Sequence, residues 1–256
     1  MGYPGTVAHV WCRPVNGVAE VRGGARPTDV EWTLSDAERA RRDTLCRTQD
    51  RALYTAAWGL VRQSLSAAEP WVRPDEWRFQ RSSLGRPEVH HPVRGRSLRF
   101  NLSHTEGMVA CVVTRDARCG VDVERPGRAL PLHRLTRTVL SAREQREFDL
   151  APPGRRQELF FRYWTLKEAY LKAIGTGLRF PMTACEFDLG GGRPALRSLA
   201  AGPRHAHYTF RQWPVLHGGL LAVAVQGGPW HTGEDDVTIR AHLPQIREEC
   251  THHSYF

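Results

Sequence analysis

Lysine is almost missing from this chain of 256 residues. Lys167 and Lys172 are its only two lysines, and the other 34 of its 36 basic residues are arginine. Such a bias is typical of a GC-rich coding background, which favours arginine codons. Two lysines kept five residues apart against that bias indicate a site that needs a compact, tunable ammonium rather than a planar guanidinium. Chance placement and a plain surface ion pair stay open at this point.

Long apolar runs, paired cysteines and a secretory leader are also missing. No run of about 18 apolar residues occurs, so we expect no membrane-spanning helix. The segment 1–5 has no basic region followed by an apolar stretch, and the six cysteines include no Cys-x-x-Cys pair. These absences predict a cytoplasmic protein with reduced thiols, and they argue against a disulfide framework or a zinc site.

The charge is strongly basic, with a formal net value of +9. A basic surface favours acidic partners such as nucleic acids, phosphorylated small molecules or acidic proteins. The arginines are scattered along the chain while acids cluster, which disfavours a nucleic-acid-binding protein. A solvated, arginine-rich surface without a specific partner remains the alternative.

Sequence segments recur in the same order at offsets of 106 to 112 residues. Both Leu34–Glu38 and Leu140–Glu144 contain a Ser-x-x-Glu capping box, which predicts a helix start. The other recurring pairs are Tyr54-x-x-x-Trp58 with Phe160-x-x-x-Trp164, Gly85-Arg86-Pro87 with Gly192-Arg193-Pro194, and 107–113 with 219–225. Matches in one register indicate an internal duplication.

Each half predicts a short strand, a capped helix, a longer helix and further strands, without strict strand–helix alternation. We therefore predict an α+β fold of two pseudo-twofold-related subdomains with the active site in the cleft between them. The predicted boundaries are 1–117 for the N-terminal subdomain, 118–228 for the C-terminal subdomain and 229–256 for a C-terminal tail.

Carboxylates and a lysine carry the candidate chemistry. Asp122 and Glu124 are two residues apart on a predicted strand and so face the same side, where a divalent cation such as Mg²⁺ would relieve their repulsion. Glu168 and Lys172 share one face of a predicted helix with Trp164. The alternatives are solvated acids on an edge strand and an ordinary surface ion pair beside a core tryptophan.

Four segments carry a family resemblance when they are taken together. They are Gly85-Arg86-Pro87, Phe100-Asn101-Leu102-Ser103-His104, Gly120-Val121-Asp122-Val123-Glu124, and a helical string from Phe161 to Leu178 that contains Trp164, Lys167-Glu168-Ala169 and Lys172-Ala173. In this order and spacing they resemble the Sfp-type 4′-phosphopantetheinyl transferases. The Trp and Lys-Glu-Ala form is similar to the branch that serves polyketide and nonribosomal peptide carriers.

The resemblance implies an enzyme that moves the 4′-phosphopantetheine arm of coenzyme A onto a serine of acyl, peptidyl or aryl carrier protein domains. It further implies Mg²⁺ as cofactor and release of adenosine 3′,5′-bisphosphate. By resemblance, Asp122, Glu124 and Glu168 bind the metal, and Lys172 contacts the pyrophosphate. Glu168 is the proposed general base, with a metal-bound water as the alternative. The catalytic residues are then Glu168, Lys172 and Asp122.

The resemblance also implies a set of coenzyme A contacts. Ser103 and His104 correspond to a phosphate-binding pair, and Arg41 and Arg81 to basic positions near the 3′-phosphate. The full set of expected contacts is Arg41, Arg51, Arg81, Arg86, Pro87, Ser103, His104, Lys167 and Lys172.

Another Mg²⁺-dependent phosphoryl-transfer or phosphodiester-cleaving enzyme is the alternative, because it would share the Asp, Glu and Lys set. Such an enzyme would need neither a duplicated scaffold nor the Trp-x-x-Lys-Glu-Ala string. We expect a cytoplasmic monomer that binds neither nucleic acid nor membrane.

Overall fold

The computed structural model describes residues 5–15, 28–91, 97–126, 131–199, 207–227 and 237–243. The helices are α1 (Thr28–Glu31), α2 (Asp36–Asp43), α3 (Thr48–Ala68), α4 (Leu132–Val139), α5 (Ala142–Leu150) and α6 (Pro153–Ile174). The strands are β1 (Thr6–Pro14), β2 (Arg78–Arg81), β3 (Pro87–His91), β4 (Leu98–Thr105), β5 (Met108–Arg115), β6 (Cys119–Glu124), β7 (Cys185–Asp188), β8 (Ala195–Leu199), β9 (Tyr208–Val215), β10 (Gly219–Gln226) and β11 (Val237–His242). The mixed helix and sheet content confirms the predicted α+β class.

Both halves of the chain have the same topology. In the first half, β1, β5 and β4 form a sheet in the order β1-β5-β4, to which β11 is added at the β1 edge, and the second half forms a sheet of order β6-β10-β9. In each half the first strand pairs antiparallel with the last strand, which in turn pairs with the strand before it. Each half also has one separate hairpin, β2–β3 or β7–β8. This repetition is what an internal duplication predicts, and the expected boundary at 117/118 falls between β5 and β6.

The core consists of layers. The two sheets face each other through small aliphatic side chains such as Val10, Val112 and Val121. The opposite face of the first sheet packs against α3, and the opposite face of the second sheet packs against α6. The two long helices therefore lie outside a pair of sheets. In the described part of the chain, no helix is both long and apolar enough to cross a membrane.

The predicted capping boxes are present at both helix starts. Ser35 accepts from the Glu38 backbone N–H while the Glu38 carboxylate accepts from the Ser35 backbone N–H. Ser141 and Glu144 repeat this reciprocal arrangement at α5. Each box satisfies two backbone donors that a helix start leaves without partners. The pattern in the sequence thus located both helix starts correctly.

The structure corrects the prediction of a separate tail over 229–256. Val237–His242 form β11, which pairs in parallel with β1 and so becomes the edge strand of the first sheet. The remainder of that predicted tail, apart from Leu243, lies outside the described residues. The short β3, β8, α1 and α4 were also not predicted, because four to eight residues are too few to show a clear period.

Candidate active site

Glycine at position 120 allows β6 to lie directly on α6. A Cβ atom at Gly120 would come within 2.0 Å of the Ala169 carbonyl oxygen and 2.6 Å of the Ala173 nitrogen. Ala169 and Ala173 are buried and present only a methyl group to the strand. Three small residues therefore bring the acids of β6 next to the polar face of α6.

An ion pair between Asp122 and Lys172 lies at the centre of this contact. Lys172 Nζ lies 2.6 Å from Asp122 Oδ1 and also donates to Ser103 Oγ at 3.0 Å and to the Val121 carbonyl at 3.1 Å. Ser103 Oγ in turn donates to Asp122 Oδ1 at 2.9 Å. Asp122 is buried, while the Lys172 side chain keeps 27% of its surface exposed. The Lys172 side chain is therefore partly open to solvent, whereas its partner is buried.

Glu124 and Glu168 share the electrostatic environment of Asp122. Burial and then the Asp122 charge raise the pKa of Glu124 to about 7, and Glu168 acts in the same direction while Lys172 opposes it. Burial and Asp122 likewise raise the pKa of Glu168, again opposed by Lys172. The indole N–H of Trp164 also favours the ionised form of Glu124, although it makes no hydrogen bond of normal geometry. Three carboxyl groups, those of Asp122, Glu124 and Glu168, thus interact electrostatically with the Lys172 ammonium.

The first half reaches this centre through alternate residues of β4. The side-chain oxygen of Asn101 accepts from the Val121 backbone N–H at 3.0 Å, and the Thr105 hydroxyl lies 3.5 Å from Glu124 Oε2. Ser103 lies between these two and binds Asp122. Because residues i and i+2 of a strand face the same way, β4 presents three polar side chains to β6. β4 continues past the Asn-Leu-Ser-His segment and ends at Thr105.

His104 lies beside the same centre on the exposed side of β4. Desolvation by the surrounding protein and the Lys172 charge lower the pKa of His104, while Asp50 and Asp122 oppose the shift. Asp50 belongs to the first turn of α3. The N-terminus of α3 therefore lies near His104 and on the same side of the molecule as the carboxylates.

Arg41 and Arg81 lie near one phenol. Both arginines lower the pKa of Tyr54 against the larger opposite effect of burial. Both are exposed, and among the described residues the guanidinium of Arg41 donates to the Thr44 hydroxyl and that of Arg81 to the Gly85 carbonyl. Their guanidinium groups therefore keep donors that can bind an anionic ligand.

Arg51 and Arg86 use their guanidinium groups on backbone carbonyls. Arg51 donates to the carbonyls of Leu45 and Cys46 in the loop before its own helix. Arg86 donates to carbonyls on β4, β6 and α6. Pro87 begins β3 and lines, with Arg86, a cavity of about 120 Å³.

Known proteins resemble this chain in sequence. Residues 118–225 match the family model described as the 4′-phosphopantetheinyl transferase superfamily. A relative named 4′-phosphopantetheinyl transferase HetI, from Nostoc sp., is 32% identical over 227 residues, which cover 87% of this chain and 89% of the relative. This chain belongs to the 4′-phosphopantetheinyl transferase superfamily. A phosphopantetheinyl transferase from Thraustochytrium sp. is 29% identical over 82% of this chain and 79% of its own. The rat L-aminoadipate-semialdehyde dehydrogenase-phosphopantetheinyl transferase is 26% identical over 78% of this chain and 71% of its own.

Lys167 of the transferase does not lie where the sequence predicted it. Its ammonium is fully buried and donates to the Glu144 carboxylate and to the carbonyls of Val139 and Met182. A coenzyme A molecule cannot contact an ammonium in this position, so the expectation of a cofactor contact at Lys167 disagrees with the structure. Lys167 also takes the place in the second half that Arg62 takes in the first, since each of these cations binds the capping-box glutamate of the preceding helix.

Sequence reasoning missed several residues that build the transferase site. Gly120, Ala169 and Ala173 were quoted only as parts of motifs, although together they set the distance between β6 and α6. Asn101 and Thr105 were not predicted as links between the two halves. Their signal was present as polar residues at 101, 103 and 105, the two-residue period of a strand face.

Proposed function

We propose that this transferase moves the 4′-phosphopantetheine arm of coenzyme A onto a serine hydroxyl of acyl, peptidyl or aryl carrier protein domains. The observation that carries the proposal is the contact of Ser103 with Asp122 and Lys172, in which both halves of the chain build one partly exposed cationic centre beside two further acids. The names of the related transferases support the same reaction. The Trp164 and Lys167-Glu168-Ala169 string is our basis for proposing carriers of polyketide and nonribosomal peptide synthesis.

Coenzyme A would lie between the two halves of the chain, and basic side chains from both halves would bind its phosphates. Lys172, Ser103 and His104 would bind the pyrophosphate, since the Lys172 side chain is partly exposed and His104 is exposed beside it. Arg41 and Arg81, which lie near Tyr54, would hold the 3′-phosphate through their free donors. Arg51 is a weaker candidate because two carbonyls already occupy its guanidinium.

A divalent cation suits the donor set of this site. The second carboxylate oxygen of Asp122 is buried without a hydrogen-bond donor, which is costly unless a cation or ligand group completes it. Asp122, Glu124 and Glu168 would hold Mg²⁺, which prefers oxygen ligands. When bound, Mg²⁺ supplies positive charge to the pyrophosphate oxygens on which negative charge develops. Among the described residues, no three His, Cys, Asp or Glu side chains are grouped so that they could hold a metal ion, so we propose that the substrate phosphates supply part of the coordination.

Glu168 would take the proton from the carrier serine. Burial raises the pKa of Glu168, which suits a general base, whereas a bound Mg²⁺ would lower it. The serine oxygen forms a new bond to the phosphorus on the pantetheine side of the pyrophosphate. The bond from that phosphorus to the bridging oxygen breaks, and adenosine 3′,5′-bisphosphate leaves with the electron pair. Lys172 would stabilise the charge on the phosphate oxygens as a point charge.

One copy of the chain contains both sides of this centre. Ser103 and His104 come from the first half, while Asp122, Glu168 and Lys172 come from the second. We therefore propose that the enzyme acts as a monomer, and the reduced thiols expected from the sequence lead us to propose the cytoplasm as its location.

Mass spectrometry of a carrier domain tests the proposed transfer. Incubation with coenzyme A, Mg²⁺ and the transferase should add about 340 Da, the mass of one phosphopantetheine arm, to the carrier. The same carrier with its acceptor serine replaced by alanine should gain nothing. If several acyl, peptidyl and aryl carriers all fail to gain this mass, the proposed function is wrong.

A further inference from the structure

Arg86 connects the hairpin of the first half to the catalytic helix of the second. Its Nη1 donates to the Lys172 carbonyl at 2.7 Å. Its Nη2 donates to the carbonyls of Phe100 on β4 at 2.8 Å and of Cys119 on β6 at 3.0 Å. One guanidinium thus contacts the backbone of the three elements that carry Ser103, Asp122 and Lys172.

The Lys172 carbonyl is one that α6 cannot satisfy by itself. The helix ends at Ile174, and Gly175 follows in the left-handed conformation and donates its N–H to the Leu171 carbonyl. The last four carbonyls of a helix have no donor further along the same helix, and their partial negative charge attracts cations. Arg86 therefore caps the C-terminus of α6 with a charged donor from the other half of the chain.

Arg86 is itself held firmly by its own hairpin. Its backbone N–H donates to the Ser82 hydroxyl at 3.1 Å, and its carbonyl accepts from the Ser82 N–H at 2.8 Å. Gly85, immediately before Arg86, has a positive φ that closes this turn. The guanidinium thus extends from an anchored backbone, so its contacts can fix the position of the helix end.

We infer that Arg86 is a positioning residue that fixes the last turn of α6, so that the Lys172 ammonium meets Asp122 and Ser103. This inference rests on the proposed function, and it replaces the expectation that Arg86 contacts coenzyme A. The planar fork of an arginine can donate to three carbonyls in different directions, whereas a lysine ammonium is a compact charge on a flexible stem. The distinction between the two side chains gives the inference a direct test.

Arg86→Lys in the full chain is the main variant. It should lower kcat for carrier modification by about tenfold or more, because displacement of a catalytic group by about an ångström has effects of this order. The KM for coenzyme A should change by less than about threefold, because no substrate contact is lost. If Arg86 instead binds a coenzyme A phosphate, the lysine keeps the charge, so kcat should be preserved and any defect should appear as a raised KM for coenzyme A. An unchanged kcat or a defect confined to KM would overturn the inference.

Arg78→Lys is the matched control. Arg78 lies on the same hairpin, is exposed and, within the part of the chain that the structure describes, donates to the nearby carbonyls of Asp75 and Trp77. The same change of side chain there should leave kcat and KM within about twofold of the parent. An equal loss of kcat in both variants would show a general effect of the hairpin and would overturn the specific role of Arg86.

Hydrogen exchange measures the cap without any catalytic assay. In Arg86→Lys, the amides of 173–175, which bond within the last turn of α6, should exchange about tenfold faster or more, while the amides of 157–163 should not change. Arg86→Gln, which keeps a planar donor group, serves as the second variant if Arg86→Lys does not fold. Unchanged exchange at 173–175 would overturn the inference. Since this measurement needs no carrier, it remains decisive even if the proposed transfer reaction is wrong.

Discussion

Lys167 and Glu144 form an ion pair in which neither side chain is exposed. Glu144 is the capping-box residue of α5 and also accepts from the Phe187 N–H, whereas Lys167 also donates to the carbonyls of Val139 and Met182. A charge taken out of water is tolerated only when partners replace its hydration. The pair therefore locks α5, α6 and the segment before β7 together.

The first half contains a counterpart of this pair. Glu38, the capping-box residue of α2, binds Arg62 of α3, and Arg62 donates to the carbonyls of Pro74 and Trp77 just before β2. In both halves, then, the capping-box glutamate forms an ion pair with a buried cation of the long helix. That cation also donates to backbone carbonyls of the segment just before the hairpin. The contacts show that Lys167 corresponds to Arg62, and Glu168 follows Lys167 within the electrostatic reach of Asp122 and Lys172.

Replacement of Lys167 by methionine should mainly destabilise the protein. The change leaves the buried Glu144 carboxylate without its cation and should lower the free energy of unfolding by about 3–5 kcal/mol. Urea unfolding of the variant measures this loss. The double variant Lys167→Met with Glu144→Gln should recover part of the stability, because the unpaired charge is then removed. A variant of parental stability with a raised KM for coenzyme A would contradict the structural role.

Glu168→Gln should abolish transfer while it preserves the fold. Loss of the base or metal ligand is expected to lower kcat by about 10² to 10⁴, whereas an amide of the same shape keeps the packing of α6. The carrier mass assay and thermal unfolding measure the two properties separately. Glu158→Gln is the control, since Glu158 is exposed on the same helix and should retain full activity. Unchanged turnover in Glu168→Gln would refute the role of this carboxylate.

Gly120→Ala should damage both stability and catalysis. The added methyl group would come within 2.0 Å of the Ala169 carbonyl oxygen, so β6 and α6 must separate and carry Asp122 away from Lys172. We expect a loss of about 2–3 kcal/mol in stability, as for overpacked cores. Gly154→Ala on α6 is the control. A Cβ atom at Gly154 would have no atom within 4 Å, so this change should be neutral or slightly stabilising. A stable and active Gly120→Ala variant would show that the close approach of strand and helix is not required.

Asp122→Asn should weaken the binding of Mg²⁺ in the presence of coenzyme A. The amide keeps the size of the side chain but loses its charge. Its NH₂ group would also take the place of a buried oxygen that has no hydrogen-bond partner. Titration calorimetry with Mg²⁺ and coenzyme A should show at least about a tenfold loss of affinity, the size found for disturbed metal sites. Thr105→Val, which changes a neighbouring hydroxyl at 3.5 Å from Glu124, serves as a comparison with a smaller expected effect. Equal Mg²⁺ affinity in parent and Asp122→Asn would remove Asp122 from the proposed ligands.

The sequence predicted the parts of this molecule that depend on local pattern. Ser35 and Ser141 mark their helix starts because a capping box is a contact between residues three apart. The grouping of Asp122, Glu168 and Lys172 followed from motif order and from family resemblance. The positions of Lys167 and Arg86 could not be predicted, since a long basic side chain can turn to an anion or to backbone carbonyls, and only the folded chain decides which acceptors are within reach.

Removal of β11 should separate stability from catalysis. Residues 237–242 cover the β1 edge of the first sheet, whereas β4, which carries Ser103, forms the opposite edge of that sheet. A chain that ends at Gly227 exposes the β1 edge and loses the buried Val237, so we expect it to lose about 2–4 kcal/mol of stability. Its kcat should remain near the parental value at temperatures where the shortened chain is folded. A chain that ends at Leu243 keeps β11 and should match the parent in both properties. If the chain that ends at Gly227 has the same free energy of unfolding as the parent, β11 does not stabilise the sheet. If that chain is stable but inactive, the C-terminal segment contributes to the site itself.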